Sequence, residues 1–166
     1  LSMGFRVDYT QEERHQFQLM AMVLGGVPSS KLFQNVREKM SLCYYCSSGL
    51  VGNSRSMFIE SGVETSNLEK AEEAIYGQLS ALQKGELTEE ELLSAKLAYC
   101  NSLRSINDSL PAMESAYLGQ VFSGLVLPQE ESIARVKSCT KEQVVEAANR
   151  LVPGAVFTLK GSGVHG

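Results

Sequence analysis

Two histidines, His15 and His165, are all the imidazole this sequence offers for chemistry. Neither belongs to an H-x-x-E-H or H-E-x-x-H set, the spacing that places two ligands on one helical face with a carboxylate beside them. A zinc site needs at least three protein ligands, and a lone histidine is one. Both are therefore read as surface residues, His15 on an amphipathic helix and His165 in a C-terminal tail. No Ser-His-Asp arrangement can be built from two histidines so placed. The glycines form no G-x-x-x-x-G-K-[ST] phosphate loop. No catalytic residue and no metal ligand is assigned to this chain.

Cys43-Tyr44-Tyr45-Cys46 is a single C-x-x-C. It falls in what reads as a strand, where residues three apart point to opposite faces. Two thiols so placed cannot share a metal or close a disulfide without a bulge. A redox C-x-x-C begins a helix, whose dipole lowers the thiol pKa. The pair is read as two packed or half-buried cysteines. Cys100 and Cys139 sit in helical patterns as small apolar residues. A reducing compartment is the simpler reading, although four cysteines leave a disulfide open. Glu89, Glu90 and Glu91 follow Thr88 in a first helical turn, where negative charge suits the dipole; they read as capping and solubility.

One further segment, Ser29 to Tyr45, couples a short helix to a strand. Arg37 lies beside the apolar side of that helix, one residue past Val36 and one turn after Phe33. Tyr44 begins the next strand, close in space if the turn is short. Two donors converging there could hydrogen-bond a peptide carbonyl. A charged donor contributes about 1.5–3 kcal/mol. Aimed at the oxyanion of a tetrahedral intermediate, one donor is worth about 10²–10³ in rate. A cation near a helix C-terminus also suits the dipole, and on spacing alone a capping arginine and a packed tyrosine are the preferred reading.

These residues need elements to hold them. Residues 2–9 read as a first strand. Phe17, Met20, Ala21 and Leu24 mark one face of a helix over 11–24. Gly25-Gly26 ends it and Pro28 prevents continuation. Lys31 to Met40 form a short helix with Leu32, Phe33, Val36 and Met40 on its apolar side. Residues 42–51 and 56–63 read as an antiparallel hairpin around the turn-forming set Gly52 to Arg55. A helical half follows. Ser66 with Glu69 is a capping box before the stripe Leu68, Ala71, Ile75, Leu79 and Leu82. Thr88 with Glu91 caps a helix with Leu93, Leu97, Cys100 and Leu103 on one side. Ser109 precedes a helix with Pro111 in its first turn and Met113, Tyr117, Val121 and Leu125 as its apolar side. A short helix covers 130–137, and Thr140 with Gln143 caps another to Leu151. Pro153-Gly154 then turns the chain into a last strand, 155–160. The interleaving gives an α+β fold: a two-layer sandwich, mostly antiparallel sheet with helices on one face. Residues 1–160 form a single domain, expected to be a fragment of a longer chain, and 161–166 a flexible tail.

The 166 residues have a net charge of −4 and scattered basic residues, which excludes the electrostatic footprint of a nucleic-acid partner. No apolar run approaches the ~20 residues that cross a bilayer, and no segment resembles a secretory leader. The expectation is a cytoplasmic protein without membrane contact.

The 29–45 segment carries a family resemblance. Its small residues, Leu32-Phe33, Val36-Arg37-Glu38-Lys39, a short spacer and Leu42-Cys43-Tyr44-Tyr45 resemble the C-terminal, zinc-site-lacking halves of pitrilysin (insulinase) family metallopeptidases, including mitochondrial-processing-peptidase-like domains. The helix ending in Leu24-Gly25-Gly26 and the helix-rich second half are also similar. In that family two homologous α/β domains face each other. The N-terminal one binds zinc and activates water; the C-terminal one supplies an Arg and a Tyr seven residues apart, which match Arg37 and Tyr44 here. Ser41 stands where Gly is usual and Cys43 where Ala is usual. The resemblance implies the non-catalytic half of a zinc-dependent peptidase. Its partners would be a homologous N-terminal catalytic domain or subunit, which holds the zinc, and a peptide substrate. A scaffold or protein-interaction domain of the same fold is the alternative. Self-association of the isolated half is a further reading, resting on the surface a half-chamber would expose.

Overall fold

A computed structural model describes residues 1–51 and 54–161. The turn residues Gly52 and Asn53, and the tail from 162 onward with His165, lie outside them. Four strands form one antiparallel sheet: β1 (Ser2–Arg6), β2 (Tyr45–Leu50), β3 (Ser56–Gly62) and β4 (Val152–Phe157), in the order β2-β3-β1-β4. The last strand thus returns beside the first. Alternation sets which face is buried. Met3 and Phe5 of β1 pair with Ile59 and Met57 of β3, and all four are buried. Phe58, between them on β3, is exposed on the other face. The architecture is α+β, with helices on one side of the sheet.

β4 begins three residues earlier than the sequence suggests. Pro153 and Gly154 lie inside it rather than in a turn, because an edge strand tolerates a residue without an N–H. The register shifts between Met3 and Phe5. A Cβ on Gly154 would sit 2.9 Å from the Gly4 carbonyl oxygen, so the close approach at this irregularity requires glycine.

α1 (Arg14–Ala21) starts later than expected and continues as a π-helical turn, Met22–Gly26. The helix expected over 31–40 is also π-helical, Leu32–Lys39, and buries Leu32 and Val36. The second half holds α2 (Leu68–Gln83), α3 (Glu89–Ser105), α4 (Leu110–Ser123), α5 (Gln129–Ser138) and α6 (Lys141–Asn149). The capping boxes at Thr88/Glu91 and Thr140/Gln143 form as expected. The one at Ser66/Glu69 does not: a 3₁₀ turn, Thr65–Asn67, occupies that place and α2 begins after Asn67 without a side-chain cap. The α2 stripe Ala71, Ile75, Leu79 and Leu82 is buried.

Two helical faces differ from expectation. α3 buries Leu92, Ala95, Tyr99 and Cys100, while Leu93 and Leu97 are 67% and 60% exposed. Two overlapping stripes satisfy the 3.6-residue period there, and a one-position choice rotates the face by about 100°. α4 buries no residue at all; Tyr117, Val121 and Phe122 are exposed. Its apolar side faces away from the core.

Candidate functional site

The π-helical segment that carries Arg37 ends in a tight reversal. Met40 N–H donates to the Asn35 carbonyl, Ser41 N–H to Arg37 and Leu42 N–H to Val36. Ser41 supplies the left-handed residue of this reversal, with φ of 51°. That conformation normally falls to glycine, which is the residue the family resemblance places there. Three residues later the chain joins the sheet: Tyr44 N–H donates to the Gly62 carbonyl at 2.8 Å, one residue before β2 begins. Tyr45 then lies over Gly62, where a Cβ would meet its ring at 2.5 Å. Helix end and strand start are thereby fixed relative to each other within seven positions of sequence.

This fixed turn brings Arg37 and Tyr44 to the same cleft. It has a volume of about 460 Å³ and is also lined by Glu38, Ser41, Cys43, Glu64 and Asn67. Arg37 is part-exposed. Its guanidinium carbon lies 4.5 Å from the Phe33 ring centroid, and Nη1 is 3.6 Å from the Glu38 carboxylate. Tyr44 is 67% exposed and donates its hydroxyl hydrogen bond to Glu64. That bond, then the charge of Glu64, holds the phenol pKa above its usual value. Neither side chain is buried in the core. Both donors face solvent while held by carboxylates, an arrangement that can release them to a carbonyl oxygen.

Glu64 and Asn67 are the members of the cleft that sequence reasoning missed. They follow β3 rather than the 29–45 segment. Only the pairing of Tyr44 with Gly62 brings them alongside, and that register is visible once the hairpin is in place.

The cysteines depart from expectation in one respect. The strand begins at Tyr45, so the alternation argument does not apply to Cys43. Burial, then the neighbouring Cys43 thiol, pushes the Cys46 thiol up to about 12. All four cysteines are free thiols. His15 also differs: it is half-buried, not a surface residue, and its Nδ1 is hydrogen-bonded to the Tyr99 hydroxyl at 2.9 Å. Among the described residues no group of three or more His, Cys, Asp or Glu could hold a metal ion.

A family model described as the peptidase M16 inactive domain matches residues 1–99. The chain belongs to the peptidase M16 inactive-domain family. The M16 domain is 29% identical over 164 residues to the protein named "Probable inactive metalloprotease YmfF" of Bacillus subtilis, covering 98% of this chain and 38% of that protein. It is 31% identical over 165 residues to an "Uncharacterized zinc protease" of Rickettsia bellii, covering 91% and 38%. The chain thus spans 38% of the length of these curated relatives. A conserved protein from Enterococcus faecalis has a similar solved structure, with a TM-score of 0.84 and 29% identity over 92% of this chain and 36% of its own. The peptidase M16 inactive domain from Pseudomonas fluorescens shares the fold, with a TM-score of 0.73 and 22% identity over 96% and 42%. No helix among the described residues is long and apolar enough to cross a membrane.

Proposed function

We propose that this M16 domain closes the substrate chamber of a zinc-peptidase-like protein and that Arg37 and Tyr44 bind the substrate carbonyl there. The observation that carries this reading is the shared cleft. Two donors on different elements meet at one solvent-facing site, held by carboxylates rather than by core packing. A preceding homologous half would supply zinc and the general base, in keeping with relatives named zinc proteases. Residues 1–160 act as one unit of that longer chain. The apolar side of α4 and the uncovered sheet face at Phe58 offer surface for the other half, or for a second copy when this half is isolated. Four free thiols fit a reducing, cytoplasmic setting.

The test is Arg37→Ala in the full-length protein with a peptide substrate. Turnover should fall by about 10²-fold, the worth of one donor at an oxyanion. The thermal midpoint should stay near that of the parent, because Arg37 is part-exposed. Near-normal turnover would sink the role.

A second reading is a catalytically inactive scaffold or interaction domain. It is favoured by the Bacillus subtilis relative, which is named "Probable inactive metalloprotease YmfF". Zinc content and peptide hydrolysis, measured on this chain alone and then mixed with the preceding half, separate the two. Activity that appears only on mixing supports the chamber. A mixture that assembles without zinc or turnover supports the scaffold.

A further inference from the structure

Cys43 and Cys46 enclose Tyr44 and Tyr45 at the entrance to β2, and the fold makes them a contacting pair. The chain bends at Tyr44, before the strand begins at Tyr45. Cys43 therefore escapes the alternation that would send its side chain to the opposite face. Its thiol is hydrogen-bonded to that of Cys46. Two backbone anchors hold the bend. Tyr44 N–H donates to the Gly62 carbonyl at 2.8 Å, and the Ser61 hydroxyl donates to the Tyr45 carbonyl at 2.9 Å. Thiols brought into contact by a bend, on a backbone fixed from the neighbouring strand, meet the first requirement of a disulfide, which is approach without chain movement.

The two thiols differ in access. Cys43 is half-buried and lines the solvent-facing Arg37–Tyr44 cleft, whereas Cys46 is 4% exposed. A reagent entering the cleft meets Cys43 first, with Cys46 in hydrogen-bond contact behind it. An accessible thiol beside a resolving one is the arrangement of cysteines that oxidise reversibly. Cys100 and Cys139 are each 3% exposed and offer no comparable access. The pair does not begin a helix, so no dipole favours its thiolates. It is built to accept oxidation itself, not to catalyse disulfide exchange in other proteins.

We propose that Cys43 and Cys46 form a thiol–disulfide exchange site that takes a low-molecular-weight disulfide, R–S–S–R, from the cleft and closes an internal bridge. Cys43, as thiolate, attacks one sulfur of the reagent. The reagent's S–S bond breaks, and the departing R–S⁻ takes up the proton that Cys43 released. Cys46 then attacks the Cys43 sulfur, the mixed disulfide breaks, and the second R–S⁻ takes the Cys46 proton. Two electrons pass from the two cysteines to the reagent, which leaves as two thiols R–SH. Burial disfavours the Cys46 thiolate, and contact with Cys43 offsets this by making the second step intramolecular. The inference goes beyond the chamber role and does not depend on it.

The experiment treats the native full-length protein with oxidised glutathione, quenches with acid and digests with trypsin without reductant. Peptide 40–55 of this chain carries Cys43 and Cys46 and neither of the other two cysteines. In the parent it should become about 2 Da lighter, the loss of two hydrogens, with the bridged form at least about tenfold above the glutathione adduct. Dithiothreitol should restore the original mass. Cys46→Ala should stop at the mixed disulfide on Cys43, which should persist at least about tenfold longer than in the parent. Cys43→Ser, a near-isosteric change at a half-buried position, should leave Cys46 unmodified over the same time. A stable glutathione adduct on Cys43 in the parent, no reaction at Cys43, or modification of Cys46 in the Cys43→Ser variant at the parent's rate would overturn the proposal.

Discussion

The Tyr44 hydroxyl donates its hydrogen bond to the Glu64 carboxylate in the cleft that Arg37 also lines. In the proposed role, the same hydroxyl must leave Glu64 to reach a substrate carbonyl. Glu64 therefore competes with substrate for one proton. Replacing it with Gln weakens the competing acceptor, and the phenol pKa, held up by that bond, falls toward its usual value. In the full-length protein Glu64→Gln should lower KM a few-fold with little change in kcat. A raised KM would show instead that Glu64 positions Tyr44 for binding.

Ser41 holds a φ of 51° at the reversal between the Arg37 helix and Tyr44. A side chain in this region costs about 1–2 kcal/mol, part of which glycine returns as unfolded-state entropy. Ser41→Gly should stabilise the chain by about 0.5–1 kcal/mol, read as a rise in urea midpoint at constant slope. Ser41→Val, β-branched at the same φ, should destabilise it by more than the glycine gains.

Much of this fold was legible because its signals are local. The capping boxes at Thr88 and Thr140, the α2 stripe and the hairpin each rest on residues a few positions apart. The order of elements then gave an antiparallel sheet backed by helices. The failures lie where local patterns are degenerate. Leu93 and Leu97 satisfy the helical period as well as Leu92 and Ala95 do, and only the neighbouring helices decide between them. The α4 stripe has the right spacing, but Tyr117 and Val121 are exposed and Met113 and Leu125 only half-buried. His15 read as a surface residue because its partner, Tyr99, is 84 positions away. Arg37 and Tyr44 could be named because the 29–45 segment that holds both carries the family resemblance; Glu64 could not, because only a strand pairing brings it there.

Lys31 is 7% exposed and its Nζ lies 3.1 and 3.3 Å from the two carboxylate oxygens of Glu91. Glu91 also accepts from Thr88 N–H in the α3 capping box. The pair thus ties the helix that carries Arg37 to the start of α3. Removing one partner leaves a part-buried charge behind. Lys31→Met should cost about 2–3 kcal/mol in urea unfolding, less than a fully buried pair because Glu91 keeps its backbone donor. The double variant Lys31→Met/Glu91→Leu should recover part of that loss. A double variant as unstable as the sum of the singles would show that the two residues act independently.

His15 sets a pH dependence whose sign follows from its burial. The folded chain holds it at about 4, first by burial, then by Arg135 and Arg14; the unfolded chain holds it near ~6.5. Between those values the unfolded state carries a proton that the folded state lacks, so stability falls as pH drops from about 6.5 to about 4. Above this window the contribution is fully present, and below it no more is lost from this group. Discounted for the solvent that reaches the ring, the loss should be about 1–2 kcal/mol. Glu13 behaves separately. Its carboxyl lies below the usual range because of Arg150, so its contribution disappears only at lower pH. His15→Asn accepts from Tyr99 but does not titrate. Urea midpoints of this variant from pH 7 to pH 4.5 should decline less than those of the parent chain. Parallel declines would mean that His15 titrates alike in the folded and unfolded chain, so that burial places no penalty on its charged form.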